Sequence, residues 1–220
     1  MANILNPKRG ECLWKIRKLV VQGNHKDLRP TNAFNYVDIK YLKSGTNSRL
    51  YLARNESDQL VAIKMLKPNT SKNWAHEYEL NLEITILSKL SHANIINIYS
   101  FGTYPRSFAV IEYLPGGTLN DILKSSTNIT PLLPVRTVLT YGFSLISALQ
   151  YLHDSVHPEI AIIHRDVKPQ NMGFTADGQL KLFDFGLATC VPRRTLASDT
   201  YQLSGFTGTL VYMAPEVALG

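Results

Sequence analysis

Cysteine is scarce in this 220-residue chain: Cys12 and Cys190 stand alone and far apart. That excludes a disulfide framework and a cysteine-based zinc site, and it points to a reducing, cytoplasmic setting in which each thiol is simply buried. Long apolar runs are lacking too. The longest uncharged stretch, Thr137 to Leu152, falls short of the roughly 20 residues of a membrane span and is broken by Ser, Thr, Gln and Gly, so it reads as a core helix. Met1 to Gly10 has no apolar segment behind a basic start, which argues against a secretory signal. No repeat or low-complexity tract is present.

Excess charge is missing from the body of the chain. The net charge is +6, but residues 1–30 carry Lys8, Arg9, Lys15, Arg17, Lys18, Lys26 and Arg29 against only Glu11 and Asp27, leaving one excess positive charge for everything after them. A nucleic-acid binder is expected to place basic residues on its folded body among exposed aromatics, so no nucleic-acid partner is expected here. Within this basic extension, Cys12 to Val21 reads either as a short amphipathic helix meeting a membrane or partner, or as a solvated extension along the domain. The shortness of its apolar stripe favours the second.

What is present is a hydrophobic content of 45%, ample for a core. Strand-like runs come first, at Phe34 to Leu42, Leu50 to Arg54 and Leu60 to Leu66, followed by a helical pattern from Trp74 to Leu90. Further strands are expected at Ile95 to Phe101 and Phe108 to Tyr113. Pro115-Gly116-Gly117 then breaks the chain, and Thr118 with Asp121 forms a capping box for a new helix. A helix over Val138 to Leu152 and shorter elements follow. The pattern is an α+β architecture of two lobes: a basic extension over 1–33, a strand-rich lobe over 34–113 and a helical lobe over 114–220, with a ligand cleft expected between the lobes.

Two anomalies carry the chemistry. In the strand Leu60 to Leu66, Val61, Ile63 and Met65 share one face while Ala62 and Lys64 share the other, so an ammonium sits within an apolar strand. In the following helix, Leu80, Glu83, Leu87 and Leu90 form one stripe, which puts a carboxylate where an apolar residue belongs. Pairing Lys64 with Glu83 resolves both; the alternative leaves Glu83 solvated at the stripe's edge. The second constellation is His164-Arg165-Asp166-Val167-Lys168-Pro169-Gln170-Asn171, followed by a hairpin signal at Asp177-Gly178. With those two residues as the centre of the turn, Asn171 faces Asp184. That brings an amide oxygen beside a carboxylate, just downstream of Asp166, in a set that suits Mg2+.

Together these residues resemble the protein kinase family, from about Phe34 to the end of the chain. Val61-Ala62-Ile63-Lys64 is similar to the strand motif whose lysine holds the α- and β-phosphates, and Glu83 to its helical partner. His164-Arg165-Asp166 with Asn171 resembles the catalytic loop, Asp184-Phe185-Gly186 the metal-binding triplet and Ala214-Pro215-Glu216 the end of the activation segment. The resemblance implies a small β-rich lobe and an incomplete helical lobe. It further implies ATP and Mg2+ as cofactors, Asn171 and Asp184 as metal ligands, and Asp166, Lys168, Lys64 and Glu83 as catalytic residues. A nucleotide site would be formed by Gly45, Ala62, Lys64, Ile111, Glu112, Tyr113 and Leu114. Lys168 and Gly208-Thr209 are similar to the Ser/Thr-specific branch, which implies protein substrates with Ser or Thr acceptors. Arg165 implies a phosphorylated activation segment and an upstream activating kinase, with Ser204 and Thr207 the first candidates and Thr195, Ser198 and Thr200 further ones.

Departures matter as well. The glycine-rich loop of such proteins is represented by Lys43-Ser44-Gly45-Thr46-Asn47-Ser48, with only the middle glycine retained. This leaves a second reading, a degenerate member that binds nucleotide or protein without turnover. Proteins of this type continue through several helices beyond the Ala-Pro-Glu motif. A chain stopping at Gly220 is therefore expected to be a partial domain with exposed apolar surface.

Overall fold

The computed structural model describes residue 28 and residues 30–68, 74–125, 133–193 and 207–219. Most of the basic extension, and with it the Cys12 to Val21 segment, lies outside the described residues, as do Thr195, Ser198, Thr200 and Ser204.

The first lobe is built on five antiparallel strands: β1 (Val37–Ser44), β2 (Ser48–Arg54), β3 (Leu60–Leu66), β4 (Ile98–Gly102) and β5 (Phe108–Glu112), in spatial order β1-β2-β3-β5-β4. Alternation in β3 divides the sheet into two cores. Val61, Ile63 and Met65 pack with Ala33, Ala53, Phe108 and Val110 on one side. Ala62 and Leu66 face the other side, where they join helix α1 (Trp74–Leu87) and the second lobe. Ile86 and Leu87 are fully buried there, each contributing about 1.5–3 kcal/mol by leaving water.

Several boundaries differ from the sequence expectation. Strand β1 begins at Val37 rather than Phe34, because Ala33–Asn35 forms a 3-10 turn before it. Helix α1 stops at Leu87, and Leu90 is buried in the turn that follows, its backbone N–H bonded to the Leu87 carbonyl. The apolar run from Ile95 does not begin β4. Ile95 forms a parallel bridge to Leu182, Ile96 N–H donates to the Leu182 carbonyl, and Leu182 N–H donates back to Asn94, so this stretch spends its backbone on the other lobe.

The second lobe opens with α2 (Leu119–Ser125), whose capping box forms: Asp121 accepts the Thr118 N–H at 2.9 Å and Thr118 Oγ1 accepts the Asp121 N–H at 3.2 Å. Helix α3 (Val135–Gln150) begins three residues earlier than expected and runs into a π-helical turn, Tyr151–Ser155. Its sequence is apolar on more than the buried side, and Val135, Leu139, Phe143 and Ile146 are exposed. Two small two-stranded sheets complete the lobe: β6 (Ile160–Ile163) pairs with β9 (Thr189–Pro192), and β7 (Met172–Phe174) with β8 (Leu180–Leu182). A short helix α4 covers Pro215–Leu219. Cys190, within β9, is buried and is not part of a disulfide.

The β7–β8 register corrects the sequence reading by one residue. Met172 opposes Leu182 and Phe174 opposes Leu180, so Asn171 lies opposite Phe183, whose N–H donates to the Asn171 carbonyl at 3.0 Å. The reason is the turn. Thr175 and Gln179 close a three-residue loop in which Gly178 takes the left-handed conformation, φ 81°, whereas Asp177-Gly178 in the sequence predicts a two-residue loop. Asn171 and Asp184 are thus offset by one position rather than directly opposed.

Candidate active site

A cleft of about 400 Å³ separates the lobes, within the range of small-molecule sites. Leu42, Leu50 and Ala62 form its roof and Ile111 its back wall, while Glu112, Tyr113 and Leu114, in the segment connecting the lobes, also line it. Gly173 and Phe183 form part of the floor. Gly45, Lys64, Glu83, Asn171 and Asp184 also line it. Leu42, Leu50, Gly173 and Phe183 were missed in the sequence because each reads as an ordinary strand residue.

At the inner end, Lys64 Nζ lies 2.6 Å from Glu83 Oε2 and 3.0 Å from Asp184 Oδ1. β3 supplies the lysine, α1 the glutamate and the segment after β8 the aspartate, so three elements converge on one ammonium. Burial alone would lower the Lys64 pKa, but Asp184 and Glu83 outweigh it and hold the ammonium above the ordinary lysine value. Glu83 is 2% exposed, and its burial pushes the carboxyl upward against the pull of Lys64. Lys64 has the opposite effect on Asp184, holding it below the usual carboxylate range. Asp184 has φ 68°, and its side chain remains 43% exposed, open to a further ligand.

Asp166 and Lys168 sit beside this cleft. Asn171 Nδ2 donates both to the Asp166 carbonyl and to Asp166 Oδ2, each at 2.9 Å, and all three groups are buried. With both amide hydrogens committed, the amide oxygen of Asn171 is the atom left to meet a cation. Lys168 Nζ lies 2.7 Å from Asp166 Oδ2, and Thr209 Oγ1 donates to Asp166 Oδ1 at 2.7 Å. Thr209 stands apart from Asp166 by 43 positions in the chain, and no local sequence signal places it there.

The scaffold beneath is polar but satisfied. His164, 1% exposed, accepts the Asp166 N–H at Nδ1 and donates from Nε2 to the Phe183 carbonyl, and burial lowers its pKa. Arg165 donates to the Leu187 carbonyl at 2.6 Å. Gly208 presses so close to Arg165 that a Cβ would lie 2.5 Å from its carbonyl oxygen. At the end of β5, Glu112 Oε2 accepts from Asn97 N–H and Nδ2 and pairs with Lys181 at 3.3 Å. Its side chain therefore joins β5 to β8.

The fold is thus two-lobed, with an ammonium–carboxylate cluster at the inner end of the cleft between the lobes. A family model described as the protein kinase domain matches residues 36–219. The chain belongs to the protein kinase family. It is 33% identical over 187 residues to a probable serine/threonine-protein kinase of Clostridium perfringens, covering 84% of this chain and 25% of that protein. It is 34% identical over 180 residues to an Aurora kinase of Dictyostelium discoideum, covering 81% and 43%. A serine/threonine-protein kinase TIO of Arabidopsis thaliana is 35% identical over 183 residues, covering 83% and 13%. The chain thus spans less than half the length of these curated relatives.

Proposed function

We propose that this chain is an ATP-dependent protein serine/threonine kinase domain, on which a Ser or Thr hydroxyl of a protein substrate attacks the γ-phosphorus while the bond to ADP breaks. The observation that carries it is the convergence of Lys64, Glu83 and Asp184 within 3.0 Å, beside a second cluster of Asp166, Lys168 and Asn171. The names of the relatives support the Ser/Thr class.

The cleft fits the nucleotide: apolar walls at Leu42, Leu50, Ala62 and Ile111 suit a flat base, and the segment Glu112 to Leu114 lines the same cleft. The donor set fits Mg2+, with Asp184 open to a ligand and the Asn171 amide oxygen uncommitted to Asp166, and Mg2+ leaves room for phosphate oxygens and water. When bound, Mg2+ supplies charge neutralisation at the phosphates.

Lys64, fully charged and fixed by two carboxylates, holds the inner phosphates. Asp166 orients the acceptor hydroxyl and takes its proton at a carboxylate oxygen, held in place by Asn171 and Thr209. Lys168 steadies charge on the transferring group. Catalysis on this scheme is positioning plus electrostatics.

The domain limits proposed are a basic extension over 1–33, an ATP-binding lobe over 34–113 and a substrate lobe over 114–220. The scarcity of cysteine supports a cytoplasmic location. Arg165, next to Asp166, is the basic group for a phosphorylated activation segment made by an upstream kinase.

Asp166→Ala is expected to abolish peptide phosphorylation while leaving Mg-ATP binding largely intact. Undiminished transfer by that variant overturns the assignment. The altered glycine-rich loop favours one second reading, a binding module, and nucleotide binding by the unaltered chain without turnover of any peptide would select it.

A further inference from the structure

Lys43 has no role in the scheme above, and its placement is unusual. Along a regular strand, Leu42 and Lys43 would face opposite sides of the sheet. Both line the cleft. The pairing of β1 with β2 explains this: Tyr41 opposes Tyr51 but Lys43 opposes Leu50, so two residues of β1 advance against one of β2. Such an irregularity re-aims a side chain, here that of Lys43 into the cleft mouth.

The charges around it are otherwise committed. Lys64 is shared between Glu83 and Asp184, leaving that cluster with one excess negative charge, and Lys168 is paired with Asp166. Glu112 is paired with Lys181. Among the described residues Lys43 enters no direct ion pair. Facing it from the other lobe is Asp121, on the first turn of α2, which lines the same cleft. The Thr118 hydroxyl and N–H hold the Asp121 carboxyl below its usual range, and the Lys43 ammonium acts in the same direction.

On the strength of the kinase reading, we propose that Lys43 is a second nucleotide-binding cation, which rests opposite Asp121 across the cleft mouth and moves onto the phosphates of a bound nucleoside triphosphate. A loop short of glycine offers fewer close backbone N–H approaches to phosphate. A mobile ammonium at the start of that loop replaces part of that contribution.

The test is calorimetric titration of the 220-residue chain with Mg-ATP and with adenosine, for the unaltered chain and for Lys43→Ala, Lys43→Arg and Asp121→Asn. Lys43→Ala is expected to weaken Mg-ATP about tenfold and leave adenosine unchanged, with Lys43→Arg within about twofold of the original. Asp121→Asn keeps the cap but removes the competing carboxylate, and tightens Mg-ATP about two- to threefold. Equal losses for both ligands in Lys43→Ala, or no loss for either, overturn the proposal while leaving the kinase reading standing. Failure of the unaltered chain to bind either ligand, with Lys64→Ala equally without effect, overturns the kinase reading and this proposal together.

Discussion

The Thr209 hydroxyl donates to Asp166 Oδ1 at 2.7 Å and at the same time accepts from Lys168 Nζ at 2.8 Å. Since Lys168 Nζ also lies 2.7 Å from Asp166 Oδ2, the three side chains close a ring that leaves neither Asp166 oxygen free to rotate. Thr209→Val removes the hydroxyl with little change in volume. It is expected to lower kcat for peptide phosphorylation by about 10- to 100-fold with KM for ATP little changed, and Thr209→Ser to recover most of the loss. Steady-state kinetics of the two variants check this, and a serine variant as impaired as the valine one would exclude the hydroxyl as the active group.

Glu83 is the nearer and the more buried of the two carboxylates on Lys64. Glu83→Gln keeps the shape but removes the charge, leaving Lys64 to Asp184 alone. Mg-ATP affinity is expected to fall by about fivefold to tenfold, because the ammonium is less firmly positioned. Glu83→Ala also leaves a void and an imperfectly paired ammonium, and is expected to cost about 3 kcal/mol in urea unfolding. Equal stability of the alanine variant and the unaltered chain would contradict the pairing.

Between the lobes, Glu112 and Lys181 predict an asymmetry. Lys181 is 5% exposed, and Glu112 is its salt-bridge partner at 3.3 Å. Glu112→Ala strands that ammonium and leaves the Asn97 donors without their acceptor, a loss of about 3 kcal/mol. Lys181→Met keeps the apolar stem, and Glu112 retains both Asn97 bonds, so about 1 kcal/mol is expected. Denaturant titration of the two single variants and the double variant decides it, and equal costs for the two singles would argue that Lys181 is solvated.

His164 sets a pH dependence. Burial lowers its folded pKa below the value of about 6.5 for a free imidazole, so below that pH the unfolded chain binds a proton that the folded chain resists. Stability is therefore full above about pH 6.5 and declines as pH falls through the window beneath it, at up to about 1.4 kcal/mol per pH unit from this group. Melting curves between pH 7.5 and 5.5 should show the decline and His164→Phe should flatten it. His92, also lowered by burial and then by Lys181, adds a smaller slope that persists in that variant.

Much of the site is legible in the sequence. Lys64 and Glu83 each violate the apolar period of their own element, and two violations of opposite sign imply each other, as the 2.6 Å contact shows. The capping box at Thr118 and Asp121, the five strands and the helix before β4 were likewise set by local patterns. The hairpin register escaped by one residue, because Asp177-Gly178 does not say whether a turn holds two residues or three, and that choice moves every cross-strand partner.

Alternation, capping and charge within an apolar stripe are consequences of covalent geometry acting over a few residues, and the linear order of amino acids was enough to determine them. The hydrogen bond from Thr209 to Asp166, the Glu112 link to Lys181 and the inward turn of Lys43 belong to tertiary structure alone. Each depends on how separate segments dock or slip against one another, and that is decided by the packing of a whole core rather than by any neighbouring residue.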